Sequence, residues 1–169
     1  MLFETLESLI TYIQDNRLDV ADDMVDDFAL LYRFTLSKNN QEIIEIREEL
    51  TALESLSRLI NRLPYRETAI VHDSDISGYI IPGSLLHIIE QIVKKTIVSN
   101  HNLLKININY CKGGLCVNYV PHDKLNNSFC RSDITSLNQT YKLYTDQEIK
   151  IEEGINERIV SLPLLSMNQ

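Results

Sequence analysis

Residues 85–95, LLHIIEQIVKK, repeat apolar side chains every three or four positions, and residues 103–110, LLKININY, alternate them every second one. The first pattern is that of a helix with one apolar face, built from Leu85, Leu86, Ile88, Ile89, Ile92 and Val93, with Ile97 as its continuation. The second is a strand with Leu104, Ile106, Ile108 and Tyr110 on one side. GLCVNYV, residues 114–120, follows across KGG as the hairpin partner of that strand. Helix and hairpin in direct succession predict a sheet with a helix packed on it.

Outward from this pair the same two periods recur. ETAIVHD (67–73) reads as a strand, and GYIIPGS (78–84) as a loop that enters the helix with Pro82 near its start. Downstream, a polar stretch at 121–133 precedes a short helix around ITSLNQTYKLY. Two strands, EIKIEEG and ERIVSLPLL, then pair across Gly154 to Asn156. Before Pro64 the pattern is wholly helical. LFETLESLITYIQD (2–15) carries the stripe Leu2, Leu6, Leu9, Ile10 and Ile13. DVADDMVDDFALLYRFTL (19–36) has Asp19 as its cap and repeats Val20, Met24, Phe28, Leu31 and Phe34. QEIIEIREELTALESLSRLINRL (41–63) gives a third amphipathic helix through Ile43, Ile46, Leu50, Leu53, Leu56 and Ile60. The expected architecture is α+β: a helical hairpin over 1–40, a linker helix over 41–63, and a two-layer α/β sandwich over 64–169.

The chain has 169 residues and a formal charge of −8, and its 16 Lys and Arg form no dense cluster. Nucleic acid is therefore not the expected partner, since phosphate contacts need a basic field. No run approaches the roughly 18 apolar residues of a membrane helix, and the first residues carry acids where a signal peptide carries bases. The expectation is a soluble, cytoplasmic chain without membrane contact of its own. Cys111, Cys116 and Cys130 fit no zinc or redox spacing. With His101 and His122 nearby a metal site is one reading, and small strand hydrophobes around the KGG turn are the preferred one. Asp22, Asp23, Asp26 and Asp27 sit at helical spacing and read as a solvated edge of the hairpin, not as metal ligands.

The order of elements and several local strings resemble the cytoplasmic part of LytS-like sensor histidine kinases, members of the GHKL (Bergerat-fold) ATPases, over nearly the whole chain. LFETLESL (2–9) and LLYRF (30–34) look like the family's phosphoacceptor helix and the end of its second helix. IEIREEL (44–50) looks like its linker, IIPGSLLHIIEQIVKK (80–95) like the opening of its ATP-binding helix, and VSLPLL (160–165) like its last strand. Aligned on Leu2 and Phe3, the family's phosphoaccepting histidine falls one residue before Met1.

The resemblance also implies a nucleotide pocket, and the expected pocket is degenerate. Glu90 and Lys94 match the family's helix, whereas Gln91 stands for the magnesium-ligating Asn and Lys95 for a His. Glutamine sets the amide oxygen one methylene further out, where magnesium demands near-octahedral geometry at about 2.1 Å. Asp123, or alternatively Asn118, takes the place of the adenine-reading acid, with no glycine behind it. Arg131 and Asp133 replace the glycines that let backbone approach the phosphates. The plain alternative for 90–95 is a solvated helix face. The resemblance thus implies a pseudokinase or regulatory module of a two-component system with no catalytic residue and neither ATP nor magnesium bound. The other reading is a fragment of an active kinase whose histidine lies just upstream. A homodimer through residues 2–36, with a response regulator or an intact histidine kinase as further partner, is the expected assembly.

Overall fold

The computed structural model describes residues 2–38, 40–64, 67–98, 103–125 and 127–166; His101 and the side chain of Leu2 lie outside what it describes. One helix, α3 (Ile46–Arg62), joins everything else because it is apolar on two sides. Its Ile46, Leu50, Leu53, Leu56 and Ile60 enter the main core, while Leu59 meets Met24 and Leu63 in a smaller cluster. The hairpin of α1 (Leu2–Gln14) and α2 (Leu18–Lys38) docks on that second side. Leu9, Tyr12, Phe28 and Leu31 pack around the Met24 cluster, and the Tyr12 hydroxyl donates to the carbonyl of Arg62 at 2.7 Å.

Two expectations about this region are corrected. Residues 41–45 are not helical: Ile44–Glu45 form a two-residue strand, β1, paired with β3 (Tyr79–Ile80). Ile44 and Ile80 are both buried, so this bridge seals the core where α3 begins. Asp27 does not face solvent. It is 5% exposed, because the turn that brings Met24 onto α3 also brings Asp27, whose carboxylate takes Arg58 at 2.7 Å and also Arg62.

The rest is a mixed five-stranded sheet in the order β2-β4-β5-β7-β6. The strands are β2 (Thr68–His72), β4 (Leu104–Cys111), β5 (Gly114–Tyr119), β6 (Lys150–Glu153) and β7 (Arg158–Pro163). β2 runs parallel to β4 and the other pairs are antiparallel. Inward positions Ile106, Ile108, Val117, Val160 and Leu162 meet α4 (Ser84–Lys95) through Ile88, Ile89 and Ile92, as the two periods predict. Burying each such side chain contributes about 1.5–3 kcal/mol. Tyr110 and Ile97, expected on apolar faces, are 57% and 47% exposed because each lies past the end of the layer that would cover it.

Both outer edges of the sheet are closed at one residue by a helix asparagine that imitates a neighbouring strand. Asn61 accepts from the Thr68 N–H at 2.8 Å and donates to its carbonyl, and Asn138 of α5 (Thr135–Tyr141) treats Ile149 likewise. Between β4 and β5 the two-residue turn Lys112–Gly113 has φ of 39° and 84°, the left-handed pair that suits a right-twisted hairpin. Cys111 and Cys116 are joined in a disulfide across this turn, with Cα atoms 5.9 Å apart. The reading of both as small strand hydrophobes is therefore overturned: Cys111 lies opposite Gly114, so Cys116, two residues further on the same face, is its diagonal neighbour across the hairpin. Cys130 is free and exposed. Among the described residues no three metal-ligating side chains gather, and no helix is long and apolar enough to cross a membrane.

Candidate functional site

The candidate site grows from the C-terminal half of α4. Glu90 and Lys94, one turn apart on its outer side, pair at 2.8 Å. Glu90 also borders a cleft of about 450 Å³ lined by Phe28, Leu31, Tyr32 and Leu59, so it faces the hairpin. Lys95 turns the other way and holds both oxygens of Asp133, at 2.7 and 2.8 Å. Burial works to raise the Asp133 carboxyl, but the bond and charge from Lys95 and the Cys130 N–H outweigh it and keep it below the usual carboxylate range. His87 completes the tie through Nε2, which lies 2.9 Å from the Asp133 carbonyl.

Past α4 the chain pairs with the segment that follows β5. The Ile97 N–H donates to the carbonyl of His122 at 2.7 Å, and the Lys124 N–H donates to that of Lys95 at 3.0 Å. Lys124 Nζ donates to the Lys94 carbonyl at 2.6 Å. Phe129, 2% exposed, then folds into the main core. The described residues of the polar stretch 121–133 are thus not an open loop over α4: the backbone of His122 and Lys124 and the side chain of Phe129 are committed to the fold.

Asp123 sits in this pairing and is already engaged. Arg158 of β7 grips both its oxygens, at 2.9 and 2.8 Å, and also reaches Glu153 at 2.7 Å and the Tyr119 hydroxyl at 3.1 Å. The bond to Asp123, with those to Glu153 and Tyr119, outweighs burial and raises the already basic guanidinium further. Burial, against the pull of Arg158, pushes the Tyr119 phenol up to about 12. Asn118 is on the opposite face of the sheet: Leu115, Val117 and Tyr119 point into the core, so the residue between the last two points away. Arg131 opens a short 3₁₀ turn (Arg131–Ile134) and lines a separate cleft of about 340 Å³ with Asn138 and residues 148–152. Gln91 remains on the half-buried side of α4. Of the seven residues singled out in the sequence, Glu90, Gln91, Lys94 and Lys95 share the C-terminal half of α4, with Glu90 turned to the hairpin and Lys95 to Asp133; Asp123 meets the end of that helix as the backbone bridge partner of Thr96, Asn118 points away and Arg131 lines another cleft.

Two functional-looking residues escaped the sequence reading, Arg158 and Glu49. Each carries a charge at a position its own periodicity turns inward: Arg158 is in phase with Val160 and Leu162, and Glu49 lies one helical step from Ile46. That mismatch of charge and phase is the signal that could have found them.

Residues 1–63 match the family model described as histidine kinase. The match covers the hairpin and α3, well under half of the chain, and it is this N-terminal part that is similar to histidine kinases. No curated protein matches the chain. Among solved structures, one described as a bacterial phosphotransferase aligns with a TM-score of 0.54 at 7% identity, over 95% of this chain and 92% of its own. The histidine kinase AdeS of Acinetobacter baumannii aligns with a TM-score of 0.46 at 11% identity, over 96% and 94%. The cytoplasmic segment of histidine kinase QseC aligns with 0.44 at 9%, over 85% and 95%. The likeness to the phosphotransferase is one of fold.

Proposed function

We propose that this chain is a LytS-like, histidine-kinase-like signalling domain of a two-component system that acts as a pseudokinase, by binding and not by phosphoryl transfer. The observation that carries this reading is the Arg158 clamp on Asp123. The acid that the resemblance assigns to the nucleobase has both oxygens occupied by a buried guanidinium, and the replaced glycine Asp133 is neutralised by Lys95. Glu90, Gln91, Lys94 and Lys95 are the residues left that would face ATP and magnesium if these bound. The test is calorimetric titration of the whole chain with ATP and magnesium. No heat of binding is expected, and micromolar, magnesium-dependent affinity would overturn the reading in favour of a kinase fragment.

Self-association through the hairpin belongs to the same proposal; on α1 most of the stripe read from the sequence stays exposed, whereas on α2 a different face from the one read does so. Met24, Phe28, Leu31 and Leu9 are taken up by α3, whereas Phe3, Leu6, Ile10 and Ile13 of α1 are 79, 42, 54 and 51% exposed. Val25, Tyr32 and Leu36 continue the exposed apolar surface along α2. An apolar stripe of this length in water calls for a partner helix pair. Light scattering is expected to give a dimer at tens of micromolar that Ile10→Glu converts to monomer. Wild type running as a monomer would instead favour a hetero-complex with an intact kinase or a response regulator.

A further inference from the structure

The disulfide bond lies on the outer side of the sheet, away from α4. Leu115 and Val117 of β5 and Val160 and Leu162 of β7 point into the core, so Cys116 and Ser161, which alternate with them and are register partners, point out. The Ser161 hydroxyl lies 3.6 Å from the Cys116 sulfur, and because a disulfide sulfur carries no proton the hydroxyl is the donor. Both cysteines and Ser161 border a cleft of about 760 Å³ on that side. Its walls set Lys112 and Lys150 against Asp146, Glu148 and Glu152, so charge alone does not select the incoming group. The two cysteines differ in access: Cys111 is partly exposed beside the turn, whereas Cys116 is 7% exposed. The bond closes a loop between residues only five apart, so it restrains the unfolded chain little, and the pairing of β4 with β5 supplies the hairpin's other contacts.

We propose that Cys111–Cys116 is a thiol–disulfide exchange site that dithiol reductants reach through the outer cleft, with Cys111 as the sulfur attacked and Ser161 as the positioning residue for the sulfur that leaves. The site is independent of the function proposed above. A thiolate of the reductant attacks Cys111 Sγ, and the electron pair of the broken Sγ–Sγ bond passes to Cys116 Sγ, where the Ser161 hydroxyl already stands to donate to the new charge. The second thiolate of the reductant then attacks its partner sulfur in the mixed disulfide, and Cys111 leaves. The chain takes up two electrons and the two protons that the dithiol gave up, and the reductant departs as its own disulfide.

The test uses the whole chain with the exposed Cys130 blocked beforehand by N-ethylmaleimide. Dithiothreitol is added without denaturant, samples are quenched in acid, and free Cys111 and Cys116 are read by alkylation and mass spectrometry. The rate of reduction is expected to rise in proportion to dithiothreitol. A rate independent of it would mean that the bond opens only when the chain unfolds, and overturns the site. Glutathione, a monothiol, is expected to be trapped in acid on Cys111, and its capture on Cys116 overturns the order of attack. Ser161→Ala is expected to be reduced about 5-fold more slowly, and Ser161→Thr, which keeps the hydroxyl, at the wild-type rate. An unchanged rate in Ser161→Ala overturns the role of the hydroxyl; should that variant not fold, the first two measurements decide. Cysteines that stay free after equilibration with oxidised glutathione overturn the pair as a redox couple.

Discussion

Asp27→Ala is expected to lower the stability of the folded chain by about 2–3 kcal/mol, a large share of the total for a domain of this size. The reason is asymmetry of burial. Asp27 is 7% exposed at its side chain, whereas its partners Arg62 and Arg58 are 21 and 48% exposed. Removing the acid strands Arg62 partly out of water and leaves a void beside Met24; removing Arg58 merely returns a half-hydrated group to solvent. Arg58→Ala should therefore cost under about 1 kcal/mol, and Asp22→Ala, on the solvated side, within about 0.5. Urea denaturation of the three variants checks the order. Equal effects of Asp27→Ala and Asp22→Ala would mean that the hairpin is not locked to α3 as described.

The pH response of this lock is that of a carboxylate stabilised in its charged form. Burial works to raise the Asp27 carboxyl, but the hydrogen bonds and charges of Arg58 and Arg62 prevail and hold it below the usual range. Its stabilisation is present above the ordinary carboxylate pKa and is lost as pH falls through the lowered one. The lock therefore fails in acid, and acid denaturation of Asp27→Ala is expected to be less steep than that of the wild type.

The fate of these acids shows what the sequence could and could not convey. The strands and α4 were legible because one periodicity decides each: Leu104, Ile106 and Ile108 have a single face to bury, as do Ile88, Ile89 and Ile92. The hairpin was legible as two helices, but its outward face was not, because α2 bears apolar residues on two sides. Met24 and Phe28 compete with Val25 and Tyr32 for the inward place, and only the apolar flank of α3 decides between them. Asp27 was hidden among three neighbouring acids, and its partners lie 31 and 35 residues away, beyond any local pattern. The outward placement of Glu90 and Lys94 was legible along α4, and the surroundings of the candidate residues beyond that helix were not. Whether Asp123 is open or occupied depends on Arg158, 35 residues on and in another strand.

Arg158→Met is expected to be as damaging as the loss of Asp27, at about 3 kcal/mol, and it addresses the proposed function directly. Arg158 is 5% exposed and central to three partners, so its removal leaves the Tyr119 hydroxyl unpaired inside the sheet and Asp123 without a counter-charge. Asp123, 28% exposed, recovers some hydration, which keeps the cost below that of a fully buried charge. Glu153, 59% exposed, loses little, and Glu153→Ala should change stability by under about 1 kcal/mol. Pairing Arg158→Met with Asp123→Leu removes both charges at once and should recover much of the loss, since a buried ion pair and an apolar pair of similar volume differ little. Thermal denaturation of the wild type, Arg158→Met, Asp123→Leu and the double variant measures the coupling. If the double variant is no more stable than Arg158→Met alone, the clamp is not what holds residues 122–124 against α4, and the closure of the site must be ascribed to Phe129 and the backbone pairing instead.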